Sequence, residues 1–83
     1  MVIKLILKIG DKTQVTQGKT ILSAVSKLKS PPTVKFTGLL EFYKDKELIK
    51  RIGYNIPRLK ALFNDTKPYY REVFAKNLSL FLK

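Results

Sequence analysis

The chain has no cysteine, no histidine and no tryptophan, and sets only six acidic residues against 17 lysines and arginines in 83 residues. Each shortage closes off some chemistry. Without cysteine there is neither a disulfide nor a thiolate metal site, so the core must hold by burial alone; an intracellular setting fits that composition. Without histidine as well, the usual zinc sites, a histidine general base and the Ser-His and Cys-His nucleophilic pairs are excluded. The six acids, Asp11, Glu41, Asp45, Glu47, Asp65 and Glu72, stand scattered among turns and helix starts, where capping and the helix dipole account for them. Asp45 and Glu47 are two apart and would not share a helix face, so they make no metal pair. The expectation is a protein that is not an enzyme and carries no cofactor. A long hydrophobic run is missing too. Residues 1–9 include Lys4 and Lys8 and are too short and too charged for a signal core or a membrane span, so neither membrane association nor export is expected.

What is present is a foldable and very basic chain. A hydrophobic fraction of 45 % with five Phe and four Tyr is ordinary for a globular core. At this length about 60 to 65 % of the unfolded surface is buried, which suits a single domain over 1–83. The net charge of +11 is spread along the chain: residues 1–30 hold six Lys and one Asp, 31–53 five basic and three acidic groups, and 54–83 six basic and two acidic groups. No tail accounts for it. Charge of this density pushes the compact state apart unless an anion lies nearby, which points to a polyanion, above all nucleic acid; the alternative is a lysine-rich solvated surface that binds no ligand.

Along the chain, Ile3, Leu5, Leu7 and Ile9 alternate with Val2, Lys4, Ile6 and Lys8, the period-2 pattern of a half-buried strand. Gly10, Asp11 and Lys12 supply a turn, and residues 13–16 make a short polar second strand, so a β-hairpin is expected. Gly18 ends that strand. Thr20 caps a helix with Ile21, Leu22, Val25 and Leu28 on one face, which Ser30, Pro31 and Pro32 stop. Residues 33–36 read as a short strand or a connector, and Thr37 or Gly38 opens an amphipathic run through Leu39, Leu40, Phe42 and Tyr43. Beyond it, Asp45 reads as an N-cap, Leu48, Ile49 and Ile52 as a helical stripe, and Gly53 as its C-cap. Asn55 caps a further helix with Pro57 in the first turn and Leu59, Leu62 and Phe63 on one face, ended by Asn64, Asp65 and Thr66. A last helix starts at Pro68 and runs to the chain end with Tyr70, Val73, Phe74, Asn77, Leu78 and Phe81 at helical spacing.

The stretch KELIKRIGYNIPRLKALFND at 46–65 resembles the helix-turn-helix of phage-repressor and bacterial-regulator type. The resemblance implies that Leu48 and Ile52 face the second helix, Gly53 makes the turn, Tyr54 plugs it, Asn55 caps the recognition helix, and Leu59 and Leu62 close the core. Two departures stand out. Ile49 occupies a position where that family has Ala, which would push the helices apart, and Ile56-Pro57 replaces the polar start of the recognition helix. The implied contact face is then Asn55, Arg58, Lys60, Ala61 and Asn64, with Arg58 and Lys60 suited to guanine or phosphate and Asn55 to adenine. Lys50 and Arg51 lie within the first half of the motif and Lys67 follows it, and Lys19, at the start of the first helix, is placed to hold a phosphate.

Three smaller features complete the reading. Gln17-Gly18-Lys19-Thr20 resembles the end of a P-loop, but the Gly needed five residues before Gly18 is Thr13. The first 30 residues resemble the opening of a ubiquitin-like β-grasp fold, whose later strands are not visible after Phe36. The pairs Phe42-Tyr43 and Tyr69-Tyr70, set among lysines and Arg71, offer rings for base stacking; more commonly one ring of such a pair is core and the other surface. The expected fold is α+β: an N-terminal β-hairpin and helix, followed by a helical half with the helix-turn-helix-like pair and a C-terminal helix. The expected function is nucleic-acid binding inside the cell, DNA before RNA, by a small regulator of viral or mobile-element type. A homodimer through the C-terminal helix would add contact area. The rival expectation is a protein-interaction module, such as a component of a ribonucleoprotein, a virion or an inhibitory complex.

Overall fold

The computed structural model describes residues 1–31, 34–64, 67 and 69–82. Strands β1 (Ile3–Ile9) and β2 (Lys12–Gly18) pair antiparallel in the register Ile9 to Lys12 through Ile3 to Gly18. The two residues between them form a tight turn in which Gly10 takes φ +60°, the glycine-first geometry that matches the strands' twist. Helix α1 (Ile21–Ser26) follows, with the Thr20 side chain accepting a hydrogen bond from the Ser23 amide. β2 carries few apolar residues because its inner side docks α1 by hydrogen bonds instead. Thr16 donates to the Ala24 carbonyl at 2.9 Å, and Gln14 exchanges two bonds with the Lys29 backbone. Gly18 lies so close to α1 that a Cβ there would fall 2.9 Å from the Ala24 nitrogen.

The helical half expected after this point is absent. Residues 38–54 form a second antiparallel hairpin, β3 (Gly38–Lys44) and β4 (Glu47–Tyr54), and β3 pairs antiparallel with β1, giving one four-stranded sheet in the order β2-β1-β3-β4. Asp45 is therefore not an N-cap. Asp45 and Lys46 both take positive φ, 50° and 75°, as the two central residues of a hairpin turn do. Asp45 also closes on the first strand, its carboxylate accepting from the Val2 amide and its own amide donating to the Val2 carbonyl. Gly53 is a strand residue with open space where its Cβ would be. The apparent helical stripe of Ile49 and Ile52 arises from a β-bulge: Phe42 pairs with Lys50 and Tyr43 with Leu48, leaving Ile49 as the extra residue. Helix-turn-helix geometry over 46–65 is consequently not formed, since its first member is a strand. The sheet also departs from a β-grasp, because both neighbours of β1, β2 and β3, run antiparallel to it.

Helix α2 (Ile56–Leu62) does begin at Asn55, whose side chain accepts from the Arg58 amide at 3.0 Å, with Pro57 in the first turn. Helix α3 (Tyr69–Ser79) continues into a 3₁₀ turn over Leu80–Leu82. The expected helix end at Asp65 and Thr66, the start at Pro68, the stop at Pro32, the Thr33 end of the connector and the last residue Lys83 lie outside the described residues. All three helices lie on one face of the sheet. The core forms there from Ile3, Leu5, Leu7, Leu40 and Phe42 below and Val25, Leu59, Leu62, Ala75 and Leu78 above. Gly38 lies against α2: a Cβ there would meet the Leu59 methyls at 3.1 and 3.2 Å, tight enough that Leu59 would have to shift. Arg71 ties α3 to α1 by donating to the Ser26 carbonyl at 2.8 Å.

Candidate nucleic-acid interface

With the helices on one side, the other face of the sheet is left uncovered by the described residues. Residues directly opposite one another across a pair share a face. The register thus places Lys4, Ile6 and Lys8 of β1 beside Gln17, Val15 and Thr13 of β2 on the open side, and beside Tyr43, Glu41 and Leu39 of β3 on the other flank. Leu48 and Arg51 of β4 complete it opposite Tyr43 and Glu41. By strand spacing and rise the face measures about 14 by 23 Å.

Its composition is unusual for a solvated sheet. Val15 is 54 % exposed, Leu39 38 % and Leu48 37 %. Cations stand among these apolar side chains. The Lys4 ammonium sits 5.7 Å from the centre of the half-buried Tyr43 ring, a cation–π distance. Glu41, at the middle, is buried between Arg51 (2.9 Å to one carboxylate oxygen) and Lys8 (3.5 Å to the other). The hydrogen bond from Arg51 Nε, aided by the two positive charges and opposed by desolvation, holds its carboxyl below the usual carboxylate range. Three cations and one fully engaged carboxylate leave this face net positive.

The residues named from the sequence are not brought together into one surface. Arg51 lies on the open face. Its neighbour Lys50 falls on the helix side, 5.6 Å over the Phe81 ring. Arg58 and Lys60 are exposed on α2, Arg58 lying 5.9 Å from the centre of Tyr54, whose phenol burial pushes up and Arg58 partly pulls back. Asn55 uses its side-chain oxygen for capping, Asn64 is half-buried just past α2, and Lys67 is exposed in the connection to α3. Lys19 is exposed before α1, beside Thr20 and Lys27, but α1 has only six residues. Sequence reasoning missed Lys4, Lys8 and Tyr43 as a group. The alternation of β1 already put the two lysines on one face; what was missing was the strand that carries Tyr43 next to them. Phe42 is core and Tyr43 surface, dividing that aromatic pair between the two faces.

Among the described residues no buried side-chain nitrogen or oxygen lacks a hydrogen-bond partner, no group of three or more acidic residues could hold a metal ion, and no helix is long and apolar enough to cross a membrane. Comparison with protein-family models, with curated proteins and with solved structures finds no match.

Proposed function

We propose that this chain binds nucleic acid without catalysing a reaction, and that it takes single-stranded or looped nucleic acid across the uncovered sheet face. One observation carries the reading: the helices cover only one side, and the other offers a tyrosine ring, flat aliphatic surface and three cations within a single four-stranded face. Unstacked bases gain on such a surface by lying on the ring and the aliphatic side chains while the lysines meet phosphates, a mode open to RNA and single-stranded DNA alike. Duplex DNA read by a helix is disfavoured, because α2 has seven residues, follows a strand where a helix-turn-helix has its first helix, and spends Asn55 on its own cap. The transcription-regulator reading loses its support with it. An intracellular setting goes with a nucleic-acid ligand.

Fluorescence anisotropy with labelled single-stranded and duplex oligonucleotides tests this. Single strands should bind at low salt, with affinity falling by about 0.7 log units per log unit of salt for each phosphate met. Tyr43→Ala should weaken binding by about 5- to 150-fold, the range for losing one stacked base. Lys4→Ala with Lys8→Ala should lower the salt slope by about 1.4. Unchanged binding in both variants, or a duplex preference abolished by Arg58→Ala with Lys60→Ala, would refute the assignment.

A further inference from the structure

On the helix side a second surface is left uncovered, and it is of a different kind. A groove of about 420 Å³ runs between α2, α3 and the end of β4. Its floor is the edge-to-face pair Tyr54 and Phe74, with ring centres 5.4 Å apart. One wall is apolar and exposed: Val73 is 47 % exposed, Leu80 56 % and Phe81 41 %. These side chains are more than the core can cover, and contiguous apolar surface of this sort marks a contact site.

The charge around the groove decides what fits it. Arg58 lines it on the α2 side, Lys50 lies over Phe81, and Lys76, three residues after Val73 and four before Leu80, borders the exposed wall on the helix surface. No acidic side chain lines the groove among the described residues; Glu72, four residues before Lys76, stands beside that lysine on the outer edge of α3. A second copy of the chain is the wrong occupant. A two-fold contact would set the same three cations against their own copies on two molecules of net charge +11.

We infer that the groove docks an acidic amphipathic segment of a protein partner, apolar side chains on the Tyr54–Phe74 floor and carboxylates toward Arg58, Lys50 and Lys76. Val73 and Leu80 lie about 10.5 Å apart along the helix axis. A partner helix with apolar anchors at i, i+3 or i+4, and i+7 spans that distance. The groove and the open sheet face lie on opposite sides of the sheet, so this inference does not rest on the nucleic-acid reading.

The test uses three synthetic peptides of about 18 residues, long enough to take up helix. One has leucine anchors and glutamates elsewhere, one has lysines in place of the glutamates, and one has serines in place of the anchors. Calorimetry with the full chain should show binding of the acidic peptide, none of the basic one, and at least about tenfold weaker binding of the serine peptide, the loss of roughly two buried methylenes or more. Arg58→Glu and Phe81→Asp should each weaken the acidic peptide by about tenfold or more; both sites are exposed, so the melting temperature checks that the variants remain folded. A saturating single-stranded oligonucleotide should leave peptide binding in place. Equal binding of the basic peptide, no binding of the acidic one, or its displacement by the oligonucleotide overturns the inference. So does a concentration-dependent dimer that Phe81→Asp dissolves.

Discussion

The two faces of one strand teach most about this molecule. On its inner side β1 buries Ile3, Leu5, Leu7 and Ile9, none more than 7 % exposed. On its outer side the same seven residues show Lys4, Ile6 and Lys8, of which Lys8 is exposed and the others half-buried. The backbone hydrogen bonds are shared, so only the side chains differ. The inner face is committed to folding: its side chains lock under the helices, and removing one leaves a cavity. The outer face adds little to burial yet keeps Val15, Leu39 and Leu48 in water beside cations. Surface that folding does not need is free to meet a ligand.

Adjacent residues of β3 put that contrast to its hardest test. Phe42→Ala, at a side chain with 0 % exposure, should cost about 3 to 5 kcal/mol, at least about a quarter of the roughly 4 to 12 kcal/mol expected for a domain of this length. Urea unfolding measures it. Tyr43→Ala, one residue along and on the other face, should cost under about 1.5 kcal/mol while removing most of the single-strand affinity. Equal destabilisation by the two would mean that the faces are not separable.

Asn55 sharpens the comparison from the helix side. Asn55→Ala should lower stability by about 1 kcal/mol through loss of the cap on α2 and leave nucleic-acid binding unchanged. Loss of binding with unchanged stability would return the contact face to α2.

The smallest effect concerns Glu41. The Arg51 hydrogen bond lowers its folded pKa from the ordinary glutamate value, so its contribution to stability is fully present above that value and is lost as pH falls through the folded pKa. Thermal melts should show this acid-side loss, and Glu41→Gln should abolish it. At neutral pH the same substitution leaves Lys8 and Arg51 without a protein carboxylate and should strengthen single-strand binding roughly two- to fivefold, the size of one exposed charge interaction. Weaker binding would instead mean that Glu41 positions the two cations for the ligand.

The contrast between the hairpins explains what could be read in advance. β1 alternates strictly, Gly10 marks its turn, and Thr20, Asn55 and Pro57 mark helix starts, all signals that act within a few residues. β3 is a central strand with Leu39 and Tyr43 on one face and Leu40 and Phe42 on the other, so it shows no alternation. In β4 the bulge at Ile49 shifts the pattern and sets Ile49 and Ile52 three apart, as a helix would. Its turn uses Asp45 and Lys46 at positive φ without the Asn-Gly or Asp-Gly that announces such turns. Local chemistry was therefore legible and strand pairing across 30 residues was not. The site shared that fate: Lys50 and Arg51 were both named, but only pairing reveals that they point to opposite faces and that Tyr43 lies beside Lys4.

The most direct measurement of the central claim is a methyl NMR titration of the chain with a single-stranded oligonucleotide. The methyl signals of Ile6, Val15, Leu39 and Leu48 on the open face should move in a saturable, salt-sensitive way, while those of Ile3, Leu5 and Leu7 in the core and Val73 and Leu80 in the groove stay in place. Shifts centred on α2 and α3, with the open-face methyls unmoved, would contradict it.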